Sequence, residues 1–151
     1  MPFRQNQPYP RRRIMRLALA AAVPVRRCGV CRAAGLAPGS VGHVNAHGLS
    51  TVEMDRVEAR AIAAELGDVP VTAPKAAFGH LGAGGGVVEM MVSVLGIAAG
   101  IVPPTRNYQT PDPACPVNVV HGEPLTGRPA TAIAVNFCTT GQAVAVALAG
   151  E

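Results

Sequence analysis

The sequence predicts an α/β fold layered around a sheet, on three observations. Helical and strand-like segments alternate along the chain, with a pair of strands last. The 151 residues are 49% hydrophobic and 15% charged, enough apolar side chain for a packed core and too much for a wholly disordered chain. Aromatics make up only 3% and tryptophan is absent, so the core is built from Ala, Val, Leu, Ile and Met, which lets helices lie close on a sheet. The chain divides into a basic leader with a broken helical segment (residues 1–34) and a globular body (residues 35–151).

Residues 1–13, rich in Pro, Gln and Arg, read as a disordered leader. Residues 14–34 hold alanine-rich helical material broken by Pro24 and Gly29. Residues 35–40, Gly-Leu-Ala-Pro-Gly-Ser, form a turn, and residues 41–46 form a short strand. Ser50 caps the next helix, with Glu53 completing a capping box. Val52, Val57, Ala61 and Ala64 recur at near-helical spacing, and Gly67 ends the helix. A strand over residues 70–73 leads into Lys75. Residues 82–86, Gly-Ala-Gly-Gly-Gly, open a helix over residues 87–99 that is apolar on every side except Glu89 and Ser93. Such a helix is expected to be buried all round and is too short to cross a membrane. Gly100, Pro103 and Pro104 stop it. Residues 117–120 form a short strand, and residues 131–136 and 143–148 form an antiparallel hairpin.

The net charge of +4 hides an asymmetry. The first 50 residues carry eight arginines and no acid; the rest carry five basic and nine acidic residues. The arm could touch nucleic acid or a membrane, but no aromatic residues are interleaved with its arginines, and a solvated leader is the better expectation. Residues 11–25 mimic a signal peptide, but Arg16 interrupts the apolar stretch and Arg26 and Arg27 follow it, so a cytoplasmic location is expected. Four cysteines (Cys28, Cys31, Cys115, Cys138) are too few for a disulfide scaffold at this length. Cys28-x2-Cys31 and His43-x3-His47 approach zinc-finger spacing, but Gly35, Pro38 and Gly39 interrupt the segment, so no metal is expected.

Two histidines stand where strands end and helices begin. His47 lies in Asn-Ala-His-Gly before the capped helix, and His80 lies before the glycine-rich helix start. In α/β sheets that edge is where sites are built. Lys75 is the single lysine beside twelve arginines, which suggests a need for its point charge. Gly82 to Gly86 lacks the third glycine of a dinucleotide loop, so close helix packing explains it better.

These residues together resemble the β-ketoacyl synthase family of thiolase-like condensing enzymes. Val44-Asn45-Ala46-His47-Gly48-Leu49-Ser50-Thr51 resembles the family's V-N-A-H-G-T-S-T, with Asp55 and Glu58 at the family's spacing. Lys75 to Glu89 resembles K-S-x-x-G-H-x-G-A-A-x-G-x-x-E, and Val102 to Asn107 resembles V-P-P-T-x-N. The resemblance implies the C-terminal half of a thiolase-like fold, a sheet with a buried central helix. It implies a decarboxylating Claisen condensation of acyl and malonyl thioesters, in fatty acid or polyketide synthesis. His47 and His80 would be the two histidines of the catalytic set and Lys75 its lysine, with Glu89 and Asn45 in support. Thr51 would touch the phosphopantetheine arm of an acyl carrier protein, and no other cofactor is implied. The family's nucleophilic cysteine belongs to its N-terminal half, and none of the four cysteines here sits in a strand-to-helix elbow. Leu49 and Ala76 depart from the family's Thr and Ser, and Phe137-Cys138-Thr139-Thr140-Gly141-Gln142 stands where the family has G-F-G-G-T-N.

The chain alone is therefore expected neither to condense acyl groups nor to form an acyl-enzyme. Its expected partners are the acyl carrier protein and an N-terminal half or second subunit, in a dimer, with no nucleic acid or membrane. A half fold would expose the helix over residues 87–99 or its sheet neighbours and so drive association. The alternative is a non-catalytic subunit or carrier-protein binding module.

Overall fold

The computed structural model describes residues 18–20, 28–128 and 130–150. The leader over residues 1–13 lies outside the described residues. Twelve elements follow in order: β1 (Ala18–Ala20), α1 (Gly29–Ala34), β2 (His43–Asn45), α2 (Val52–Leu66), β3 (Pro70–Thr72), α3 (Lys75–Phe78), α4 (Gly85–Ala99), β4 (Ile101–Val102), β5 (Asn118–Val119), β6 (Leu125–Thr126), β7 (Thr131–Phe137) and β8 (Ala143–Ala149). Six strands form one mixed sheet in the order β1-β8-β7-β2-β3-β5, and β4 pairs with β6 apart from it. The expected hairpin is there: β7 and β8 pair antiparallel from Thr131 opposite Ala149 to Phe137 opposite Ala143. β7, β2, β3 and β5 run parallel, with His43 opposite Ala132 and Asn45 opposite Ala134.

Alternation along β2 assigns the two faces of the sheet. Val44 faces a core of Cys28, Val30, Cys31, Ile62, Val71 and Ile133, which α1 and α2 help to build. Asn45 faces α4, donating from Nδ2 to the Glu89 carbonyl (2.6 Å) and to Ser93 Oγ (2.9 Å). Helices on both faces with parallel strands between them make the α/β layering.

Several expectations need correction. Residues 18–20 are a strand on the sheet edge, not helix, because β8 offers a free antiparallel partner. Gly29 begins α1 rather than breaking a helix, with Cys28 Sγ accepting from the Cys31 N–H at its start. Cys28, Val30 and Cys31 pack into the core beside Val44 and Ile133. Ser50 does not cap α2: it takes φ 63 in the turn, and Thr51 is the cap residue without a side-chain cap bond. Val52 and Val57 face outward, whereas Glu58, Ala59 and Ile62 form the buried stripe.

The helix over residues 87–99 is not buried all round. Glu89, Ser93 and Gly96 are buried against the sheet, while Val87, Met91 and Leu95 are 58%, 55% and 60% exposed. Its apolar outer side has no cover among the described residues. With its leading 3-10 turn the helical run Gly82–Ala99 reaches 18 residues, long and apolar enough to cross a membrane, which overturns the expectation that it was too short. Here it packs on β7, with its carboxylate turned into the fold.

Candidate active site

The site lies at the C-terminal edge of the parallel strands. Beyond β2 the chain turns at Gly48, whose φ of 48 and closeness to Ala73 leave no room for a side chain. Glu58, reaching back from α2, accepts the N–H of His47 (2.7 Å) and of Gly48 (2.9 Å). Burial raises the Glu58 pKa above its ordinary value, while those two amides lower it. This carboxylate holds the His47 backbone in place. Sequence reasoning placed it at family spacing but gave it no role.

Beyond β3, α3 presents Lys75 into the interior. Its Nζ forms an ion pair with Glu89 Oε1 of α4 and lies 3.2 Å from His47 Nδ1. Asn136 Nδ2 donates to the other oxygen of Glu89 at 3.4 Å. His47, Lys75 and Glu89 are 3%, 6% and 1% exposed. Burial first, and then the Lys75 charge, lower the His47 pKa, so its ring is neutral near pH 7. An ammonium only donates, so Nδ1 accepts from Lys75 and the imidazole proton sits on Nε2.

His80 follows Gly79 and is exposed at the mouth of the site. Its ring centre lies 6.1 Å from that of His47, nearly edge to face at 83°. Phe137, at the end of β7, packs on His47 with centres 4.3 Å apart. A cleft of about 650 Å³ opens over this group, lined by His47, Leu49, His80, Glu89, Phe137 and Cys138 among others. The structure thus brings together His47, Lys75, His80 and Glu89, with Asn45 anchoring α4 beneath them. It does not bring Thr51 there: Thr51 lines a second cleft of about 620 Å³ with Ser50, Thr105, Arg106 and Tyr108. Phe137 and Cys138, read in the sequence only as a departure from the family's G-F-G-G-T-N, also line the cleft. The parallel pairing of β7 with β2 carries them there, since Asn45 opposite Ala134 places the ends of both strands side by side.

Among the described residues no group of three or more His, Cys, Asp or Glu side chains is arranged to hold a metal ion. Cys28 and Cys31 lie in the core, and His43 is buried with Nε2 unpartnered.

A mixed sheet with helices on both faces, carrying two histidines and a buried lysine–glutamate pair on its parallel edge, is a thiolase-like condensing-enzyme fold. The family model "Beta-ketoacyl synthase, C-terminal domain" matches residues 14–109, and the chain belongs to that family. It is 43% identical over 116 residues to 3-oxoacyl-[acyl-carrier-protein] synthase 2 of Mycobacterium bovis, covering 76% of this chain and 28% of that protein. It thus spans little more than a quarter of that relative's length. Among solved structures, the ishigamide ketosynthase/chain length factor superposes with TM-score 0.77 at 23% identity, over 89% of this chain and 37% of the other. A type II PKS acyl-carrier protein complex with its ketosynthase bound to the hexaketide matches with TM-score 0.74 at 28% identity, over 80% of this chain and 31% of the other.

Proposed function

We propose that this chain supplies the histidine half of a β-ketoacyl synthase site, for condensation of acyl and malonyl thioesters in fatty acid or polyketide synthesis. The observation that carries this is the neutral His47, its Nδ1 held by Lys75, set edge to face with His80 over one cleft. In the reaction the malonyl carbon–carboxylate bond breaks and carbon dioxide leaves. The electron pair passes to the thioester as an enolate. That carbon attacks an acyl thioester, whose C–S bond breaks. N–H donors from His47 and His80 facing the malonyl thioester oxygen stabilise the enolate charge as it forms. Lys75 and Glu89 act through His47, fixing its tautomer and position, and Asn45 supports Glu89. The thioester arrives on an acyl carrier protein, the partner named for the ketosynthase complex above, and Thr51, in the second cleft, reaches its phosphopantetheine arm outside the histidine cleft. No other cofactor, nucleic acid or membrane enters the scheme, and the setting is the cytoplasm.

The acyl-bearing cysteine of the condensation comes from an N-terminal half or second subunit, so the chain alone does not condense. The bare side of α4 gives that partner an apolar seat, and a dimer follows. The test is reconstitution with a cysteine-bearing half. Replacing His47 and His80 together with alanine abolishes carbon dioxide release if this role is right; full retention overturns it. A non-catalytic, carrier-binding subunit is the second reading. Leu49, apolar in the cleft wall where the family has threonine, favours it, and the same double replacement separates the two.

A further inference from the structure

Asn136 stands in the wall of the histidine cleft, and the condensation scheme gives it no task. Side chains along β7 alternate between the two faces of the sheet. Ala134 and Asn136 line the cleft beneath α4, while Ile133 joins the core on the opposite face. The half-buried Asn136 side chain meets the start of α4 at two points. Its Nδ2 donates to Glu89 Oε2 at 3.4 Å. The ionised carboxylate of Glu89 only accepts, so the amide nitrogen, not the amide oxygen, faces it. The same Nδ2 lies 3.3 Å from where a Cβ on Gly86 would stand. The missing side chain at Gly86 leaves the room that the amide occupies, which gives one glycine of the run over residues 82–86 a task beyond close helix packing.

Glu89 is 1% exposed, so its charge depends on donors within the fold. Lys75 takes Oε1, and among the described residues Asn136 is the only donor to Oε2. Asn45 donates to the Glu89 backbone carbonyl, which holds the helix rather than the carboxylate. The tautomer of His47 depends on the same contacts. While Lys75 is an ammonium it only donates, His47 Nδ1 accepts, and the ring proton sits on Nε2. Without the Asn136 amide one buried carboxylate oxygen loses its donor, and the charged form is disfavoured. The Lys75 proton then passes along the ion pair to Glu89. The neutral amine left behind carries a lone pair and accepts from Nδ1. The imidazole gives its Nε2 proton to solvent and takes one on Nδ1, so Nε2 changes from donor to acceptor.

We propose that Asn136 is a further positioning residue of this site: its amide, seated on Gly86, keeps Glu89 charged, Lys75 an ammonium and the ring proton of His47 on Nε2. Its part in the condensation rests on the reading of His47 as an N–H donor to the thioester oxygen. Asn136 acts on that donor only through Glu89 and Lys75.

The test is nitrogen NMR of the full chain with isotope-labelled histidines at neutral pH, where long-range spectra tell an Nε2–H ring from an Nδ1–H ring. The His47 signals are assigned by their loss in His47→Gln. The unaltered chain should show His47 as Nε2–H. Asn136→Leu, close in size but without a donor, should move the tautomer ratio toward Nδ1–H by about tenfold, the effect of losing one hydrogen bond to a charged group. Gly86→Ala keeps Asn136 but sets a methyl against its Nδ2, pushing the amide off Glu89, and should move the ratio the same way. Alanine favours a helix over glycine, so the thermal midpoint of Gly86→Ala should hold or rise, which separates a lost position from a damaged fold. An Nε2–H ring retained in Asn136→Leu overturns the proposal; should that variant not fold, retention in Gly86→Ala does so. Carbon dioxide release by reconstituted halves is read separately. A moved tautomer with release intact supports this inference while sinking the donor role of His47. Release that falls with the Nε2–H ring retained sinks this inference alone.

Discussion

Lys75 and Glu89 sit on different helices fourteen residues apart, yet their side chains meet as an ion pair with only 5% and 2% of their surfaces open to water. A buried pair adds little net stability, but removing one partner strands the other charge. Glu89→Gln should therefore lower unfolding free energy by about 3–5 kcal/mol. The double change Lys75→Met with Glu89→Leu should cost clearly less. Urea unfolding of the three chains checks this, and equal losses in both variants would argue against a stranded charge.

His43 gives the fold an acid sensitivity. It is 2% exposed with Nε2 unpartnered, and burial lowers its pKa from 6.5 to about 4. The native state therefore keeps the ring neutral, while the unfolded chain takes up a proton as the pH falls below 6.5. The stability from this group is complete above pH 6.5 and declines as the pH drops to about 4, by about 3 kcal/mol in all. Urea midpoints measured from pH 7 to pH 4 should show the decline, and His43→Leu should flatten it.

Gly48→Ala strains the turn that presents His47. The new methyl would stand 2.7 Å from the Ala73 Cβ, at a φ of 48. The left-handed backbone and the clash together should cost roughly 2 kcal/mol. Thermal unfolding checks this, and a change under ~0.5 kcal/mol would mean that the loop re-forms freely.

The bare side of α4 should drive association. Met91→Lys with Leu95→Lys charges the centre of that side without touching the buried Glu89 and Ser93. Sedimentation velocity should show the unaltered chain associating and the variant monomeric over the same concentrations. Unchanged sedimentation would place the interface elsewhere.

Much of this architecture was legible in the chain, for identifiable reasons. His47, Lys75 and His80 stand next to strand ends, and their motifs are local. The hairpin of β7 and β8 was legible from two apolar runs around a short polar turn. β1, β4 and β6 were not, because strands of two or three residues are set by their partners rather than by their own propensity. The inward stripe of α2 was misread because Glu58 faces inward, toward two backbone amides that no sequence pattern reveals. The apolar character of α4 was read correctly, but its outer side stays open among the described residues.

The position of β2 also fixes when the site can form. β2 lies between β3 and β7, and its partner on one side begins 89 residues later in the chain, as with Gly42 and Thr131. During synthesis His47 and Lys75 leave the ribosome long before the strand that brings Phe137 and Cys138 against them. Closing so long a loop is slow, and until β7 arrives one edge of β2 stays open. A nascent chain stalled before residue 137 should be open to protease and prone to strand exchange with its neighbours on a polysome, so the order of translation itself sets a window of vulnerability.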